Sequence, residues 1–151
     1  DLRDAVAALK ISGVVEGIGD YAKNIAKRVP LLNGASDIEP LSLLPEMARI
    51  ATDMVTDVLR AFVERDSDAA VRVCQRDQAV DDFYDSIFRT LLTHMMENPH
   101  NIGQSAHLLF VAKNLERVGD HATNIAEMVY YAATGDHMVE PPKRKKRRGA
   151  A

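Results

Sequence analysis

Residues 9–30 read LKISGVVEGIGDYAKNIAKRVP, and residues 109–130 read LFVAKNLERVGDHATNIAEMVY. At an offset of 100 residues the two stretches agree at nine of 22 positions: Leu9/Leu109, Glu16/Glu116, Gly19/Gly119, Asp20/Asp120, Ala22/Ala122, Asn24/Asn124, Ile25/Ile125, Ala26/Ala126 and Val29/Val129. Chance identity of roughly 6% per position would give about one match, so these are two copies of one unit. Ile11, Val15, Ile18, Ala22, Ile25 and Val29 recur at steps of four and three in the first copy. Leu108, Val111, Leu115, Val118, Ala122, Ile125 and Val129 do so in the second. That period lays one apolar face along a helix.

Between the copies the punctuation is sparse. Pro30 stops the first helix, and Pro30–Pro40, with Asn33-Gly34 and Ser36-Asp37, has turn chemistry and no period, so it reads as a linker. A second helix carries Leu44, Ala48, Ala51, Val55, Val58 and Phe62, with Arg49, Asp53, Asp57 and Arg60 outside as solvated charge. Asp66-Ser67 offers a turn and an N-cap for a third helix running to about Glu97, whose seam is Val73, Asp77, Val80, Tyr84, Ile87 and Leu91. After Asn98-Pro99 a fourth helix runs to Thr134 and stops at Gly135.

Long helices with short connections pack antiparallel. The fold class is therefore all-α: an antiparallel three-helix bundle over residues 41–135, preceded at residues 1–30 by the last helix of a second, incomplete bundle, and followed by a basic, disordered tail at 136–151. Because helix one is the copy of helix four, its two bundle partners are expected to precede Asp1, where no initiator Met stands. Left alone, helix one would expose Ile11, Val15, Ile18 and Ile25, a stripe inviting self-association, with a homodimer the expected form, or docking on the other bundle.

Composition narrows the function. Lys143, Arg144, Lys145, Lys146, Arg147 and Arg148 hold six of the 19 basic residues; without them 13 basic face 22 acidic residues, a net of −9. An acidic body argues against nucleic acid and for cations or basic partners. The tail reads as a solubilising end or a contact for anionic lipid headgroups. Cys74 is the lone cysteine, which fits a reducing cytoplasm, and no secretory or membrane-spanning stretch occurs in the sequence.

The two copies share Glu-x-x-Gly-Asp-x-Ala-x-Asn-Ile-Ala. Glu16 with Asp20, and Glu116 with Asp120, lie one turn apart on a helix face beside the apolar seam. Asp77 and Asp81 repeat that spacing on helix three, with Asp77 interrupting an apolar stripe. Carboxylates crowded on neighbouring helices oppose one another's ionisation, and a cation offsets this. Oxygen donors suit Mg²⁺, Mn²⁺ or Ca²⁺; iron or zinc enters if His121 joins. Asn24 and Asn124 either bridge helices or complete a metal shell, while His94, His100, His107 and His137 read as surface residues and Cys74 as a small buried group. Gly17-Ile18-Gly19 follows no strand and lacks a third glycine, so it is no dinucleotide loop. No nucleophile elbow or phosphate loop occurs, Glu116 is followed three positions later by Gly119 where a di-iron Glu-x-x-His motif would place its histidine, and no catalytic residue is nominated.

Val15–Ala26 (VEGIGDYAKNIA) and Asn114–Ala126 (NLERVGDHATNIA), with Arg76–Asp81 (RDQAVD) between them, resemble the PhoU family of bacterial phosphate-signalling regulators over about residues 1–139. The resemblance implies two tandem three-helix bundles whose acidic motifs bind metal ions or multinuclear clusters, Mg, Mn, Fe or Zn. It implies no enzyme but an adaptor at the cytoplasmic face of the inner membrane. There the family couples the phosphate ABC transporter to the phosphate-sensing histidine kinase and holds uptake and the starvation response off. Carried over, Asp77, Asp81, Glu116 and Asp120 form the second-bundle metal site, and Glu16 and Asp20 are half of the first. Val14 and Gly17 stand where the second copy has Asn114 and Arg117. The second site is thus expected to be competent and the first incomplete. A carboxylate-bridged metalloenzyme and a plain helical interaction module remain the alternatives.

Overall fold

The computed structural model describes residues 1–32 and 42–139. Four helices make it: α1 (Leu2–Arg28), continued by a 3₁₀ turn at Val29–Leu32, α2 (Leu44–Glu64), α3 (Ser67–Glu97) and α4 (Ile102–Thr134), with a short 3₁₀ turn at Pro99–Asn101 before α4. Among the described residues there is no strand. The turn chemistry at Asn33-Gly34 and Ser36-Asp37 and the basic tail from Lys143 lie outside the described residues.

Local chemistry sets the ends. Pro45 opens α2, and Arg65, in the left-handed region at φ 53°, closes it. Asp66 then caps α3 by accepting a hydrogen bond from the Ala69 N–H at 3.0 Å, so two residues reverse the chain. Asn98 ends α3 in an extended conformation, its side chain accepting from the His100 N–H at 3.0 Å. Gly135, at φ 78°, ends α4, its N–H donating to the Tyr131 carbonyl at 2.8 Å; a side chain there would be strained.

α2, α3 and α4 close an antiparallel three-helix bundle around Met47, Met54, Val58, Val73, Val80, Ile87, Leu91, Leu108, Ile125 and Val129, all buried. The α4 seam follows the sequence reading, every one of its seven residues being buried. On α2 the interior also takes Met47 and Met54, which the spacing reading passed over.

α1 is not free: it docks antiparallel on α4. Ala7 and Ile11 are buried, and Val14, Ile18 and Ile25 pack against the core. This is the docking expected as one of the two outcomes for the stripe, of which Val15 alone stays exposed. It corrects the seam, since Val15, Ala22 and Val29 lie outside while Ala7, Val14 and Arg28 turn towards α4. The face was legible only to within one helical position, about 100°.

Contacts across α1 and α4 are reciprocal. Gly17 lies against His121, and its counterpart Arg117 lies over the ring of Tyr21, the counterpart of His121. Pairs that exchange roles in this way mark a two-fold relation between the repeats, as in an isologous interface.

Candidate metal centre

α3 brings Asp77 and Asp81 to one face, a turn apart, and α4 brings Asp120 beside them. One carboxylate oxygen from each lies within 4.8 Å of the others. Gly119 makes the approach possible: a Cβ built on it would stand 3.3 Å from Val80 Cγ1 and 3.4 Å from Asp77 Oδ1. A bare glycine at this level thus lets α4 settle onto the Asp77 turn of α3. Asp77 and Asp81 are half-buried and Asp120 is exposed, so the cluster opens to solvent on the α4 side.

Oxygens on opposite sides of one hard cation at about 2.1–2.4 Å would stand about 4.2–4.8 Å apart, so the three aspartates fit a single ion of Mg²⁺, Mn²⁺ or Ca²⁺ type. An ion held there would supply charge neutralisation and a bond between α3 and α4.

The other expected ligands do not join this trio of oxygens. Glu116 Oε1 accepts from Lys113 Nζ at 3.1 Å, and that ammonium sits 5.0 Å from the Tyr84 ring centroid. Burial alone would lower the Lys113 pKa, but the hydrogen bond and charge of Glu116, with Tyr84, outweigh it and raise the pKa above the usual lysine range. Lys113 was missed in the sequence, although its i,i+3 spacing to Glu116 was there to read. His121 turns from the trio to α1, its ring edge-on to Tyr21 with centroids 4.9 Å apart. Iron or zinc ligation through His121 therefore has no support in this arrangement. Glu16 and Asp20 are exposed on α1, Asn24 is half-buried there, and Asn124 is exposed on α4. Asn114, where the first copy has Val14, is fully buried; its amide donates to the Phe110 carbonyl at 2.8 Å and its own Oδ1 has no partner.

Neighbouring charges are committed to other contacts. Arg76 pairs with Asp57 across α2 and α3 at 2.6 Å, and Arg49 pairs with Glu46 and Asp53 on the outer face of α2. Cys74, one turn before Asp77, is half-buried, and burial, then the charges of Glu127 and Asp77, push its thiol up to about 11. It is an inert thiol at neutral pH.

The PhoU domain pattern matches residues 44–129. A PhoU homolog of Zymomonas mobilis, named as a phosphate-specific transport system accessory protein, is 54% identical over 145 residues, 96% of this chain and 61% of the relative. One of the same name from Caulobacter vibrioides is 49% identical over 139 residues, 91% of this chain and 60% of the relative. The crystal structure of PhoU from Pseudomonas aeruginosa superposes with a TM-score of 0.84 at 35% identity, covering 90% of this chain and 66% of that one. PhoU from Streptococcus pneumoniae gives 0.83 at 26% identity, over 93% and 66%. The chain spans about three fifths of the length of the curated relatives it matches. The repeat, the four-helix arrangement and these likenesses agree: the chain belongs to the PhoU family.

Proposed function

We propose that this chain is a metal-binding regulatory module of a phosphate-specific transport system. It acts as an adaptor that restrains phosphate uptake and starvation signalling when phosphate is plentiful. The observation that carries the reading is the 54% identity, over 96% of the chain, to a protein named for phosphate transport accessory function. Its partners on this reading are the phosphate ABC transporter and the phosphate-sensing histidine kinase, met from the cytoplasmic side of the inner membrane, and a second copy of the chain. No helix of the described residues is long and apolar enough to cross a membrane, which suits a peripheral role.

Asp77, Asp81 and Asp120 are the residues proposed to hold the ion, with Glu116 beside them on α4. The oxygen-only donor set favours Mg²⁺ or Mn²⁺ over zinc or iron. Glu16 and Asp20 belong on this reading to a second site that is incomplete without carboxylates from outside the chain. The module carries information, and no catalytic residue is assigned to it.

The test is alkaline phosphatase activity in phosphate-rich medium, in bacteria lacking their own copy of the gene and supplied with the intact gene. Restored silencing by the intact gene, and its loss in Asp77→Ala and Asp120→Ala variants that still accumulate, is the expected result. Equal activity with and without the intact gene would sink the regulatory reading. Full silencing by both variants would remove the ion from it.

A further inference from the structure

The two ends of the α1–α4 interface are built differently, although the repeat makes them counterparts. At one end the Arg28 guanidinium lies 4.0 Å from the Phe110 ring centroid, with Nη1 2.8 Å from His107 Nδ1. At an offset of 100 residues the counterparts of Arg28, Phe110 and His107 are Met128, Lys10 and Ala7. These counterpart positions carry neither a ring nor a guanidinium, and a cavity of about 580 Å³ lies between the helices at this end.

That volume is in the range of small-molecule sites. Val6, Ala7 and Met128 give it an apolar wall. Tyr131 stacks on His137 at its rim, ring centroids 4.9 Å apart and planes 16° from parallel. Arg3 and Lys10 line it together with the carboxylate of Glu127, and Arg3 Nε also lies 3.9 Å from Asp1 Oδ2. Seven residues apart, they share one face of α1. Two basic side chains are thus gathered beside apolar and aromatic surface in an otherwise acidic body.

We propose that this cavity binds a small organic anion with a flat apolar body. Its acid group meets Arg3 and Lys10, and its body lies on Val6, Ala7 and Met128 under the Tyr131 ring. Glu127 repels further negative charge, so a monoacid is preferred to a polyphosphate. The site is separate from the aspartate trio and stands whether or not the trio binds an ion.

The test uses 1-anilinonaphthalene-8-sulfonate, a flat apolar monosulfonate, titrated by fluorescence into the full 151-residue chain. Saturable binding at one probe per chain is expected. The double variant Lys10→Phe with Met128→Arg, which rebuilds the stack of the opposite end, should abolish it. Lys10→Met, which removes charge but little volume, should weaken it at least tenfold. Leu9→Lys, on the exposed face of α1, should leave it unchanged. Non-saturable binding, undiminished binding in the double variant or in Lys10→Met, or loss of binding in Leu9→Lys would each overturn the proposal. Should the double variant fail to fold, Arg3→Met takes its place, with the same tenfold weakening expected and undiminished binding counting against the site.

Discussion

Tyr21 and His121 hold equivalent places in the two repeats, and their rings meet edge to face between α1 and α4. A contact between equivalents lies where a two-fold axis passes. Gly17 sits beside it, and a Cβ on Gly17 would come within 3.0 Å of His121 Nε2 and 3.2 Å of Cδ2. At Gly13 the same built atom meets nothing within 4 Å.

These two glycines should therefore answer differently to one change. Gly13→Ala, in open space inside a helix, should stabilise the chain by about 0.5–1 kcal/mol. Gly17→Ala has the same helical gain but must displace the His121 ring, so its midpoint in urea should fall below that of Gly13→Ala. In a His121→Ala background the difference should vanish, a double-mutant cycle that isolates the contact. Equal midpoints in the native background would mean that α1 does not sit on His121 as described.

Ion binding should separate the acids. Titration of Mn²⁺ followed by electron paramagnetic resonance should show binding to the chain that Asp77→Asn, Asp81→Asn and Asp120→Asn each weaken at least tenfold. Glu116→Gln, whose native side chain is held by Lys113, should weaken it less. Gly119→Ala should also weaken it, because its methyl presses on Val80 and Asp77, and this pressure should offset the helical gain so that its urea midpoint falls below that of Gly13→Ala. If Glu116→Gln proves as damaging as the aspartate changes, the Lys113 pair is broken when the ion arrives.

Asn114 carries a buried acceptor without a partner where the first copy has Val14. A buried polar atom left unpaired costs about 1–3 kcal/mol. Asn114→Leu, which keeps the branching and removes the unpaired acceptor, should accordingly raise stability, by about 1 kcal/mol in chemical denaturation, offset in part by its larger volume. A loss of more than that amount would show that the Oδ1 atom is satisfied in solution.

Cys74 supplies a pH test. With its pKa raised to about 11 by burial, Glu127 and Asp77, the folded thiol keeps its proton after an unfolded one has lost it. The contribution is thus fully present below the unfolded thiol value, about 8.5, and is lost as pH rises towards 11. Stability should fall over that window relative to Cys74→Ala. Alkylation of the folded chain by iodoacetamide should be slow at pH 8 and accelerate through pH 10; rapid reaction at pH 8 would contradict the burial.

The fold was legible because the repeat, two prolines and Gly135 mark helix ends strongly, and because α4, buried between neighbours, shows its period along its whole length. The α1 face was less legible, since a helix covered by one partner tolerates apolar residues on two sides and Val15 and Ile18 look alike in sequence. The aspartates of the trio could be read from spacing and from Gly119. The i,i+4 relation of Glu116 to Asp120 did not show its hydrogen bond with Lys113, three residues earlier on the same helix. The Arg28–His107 contact joins residues far apart in sequence and has no local signal.

Asp120 and His121 are consecutive on α4 and so point about 100° apart around its axis. One faces the aspartates of α3, the other the backbone of Gly17 on α1. α4 therefore carries both contacts on one continuous helix, and how closely the two repeats approach at this level depends on the methyl group that Gly17 lacks.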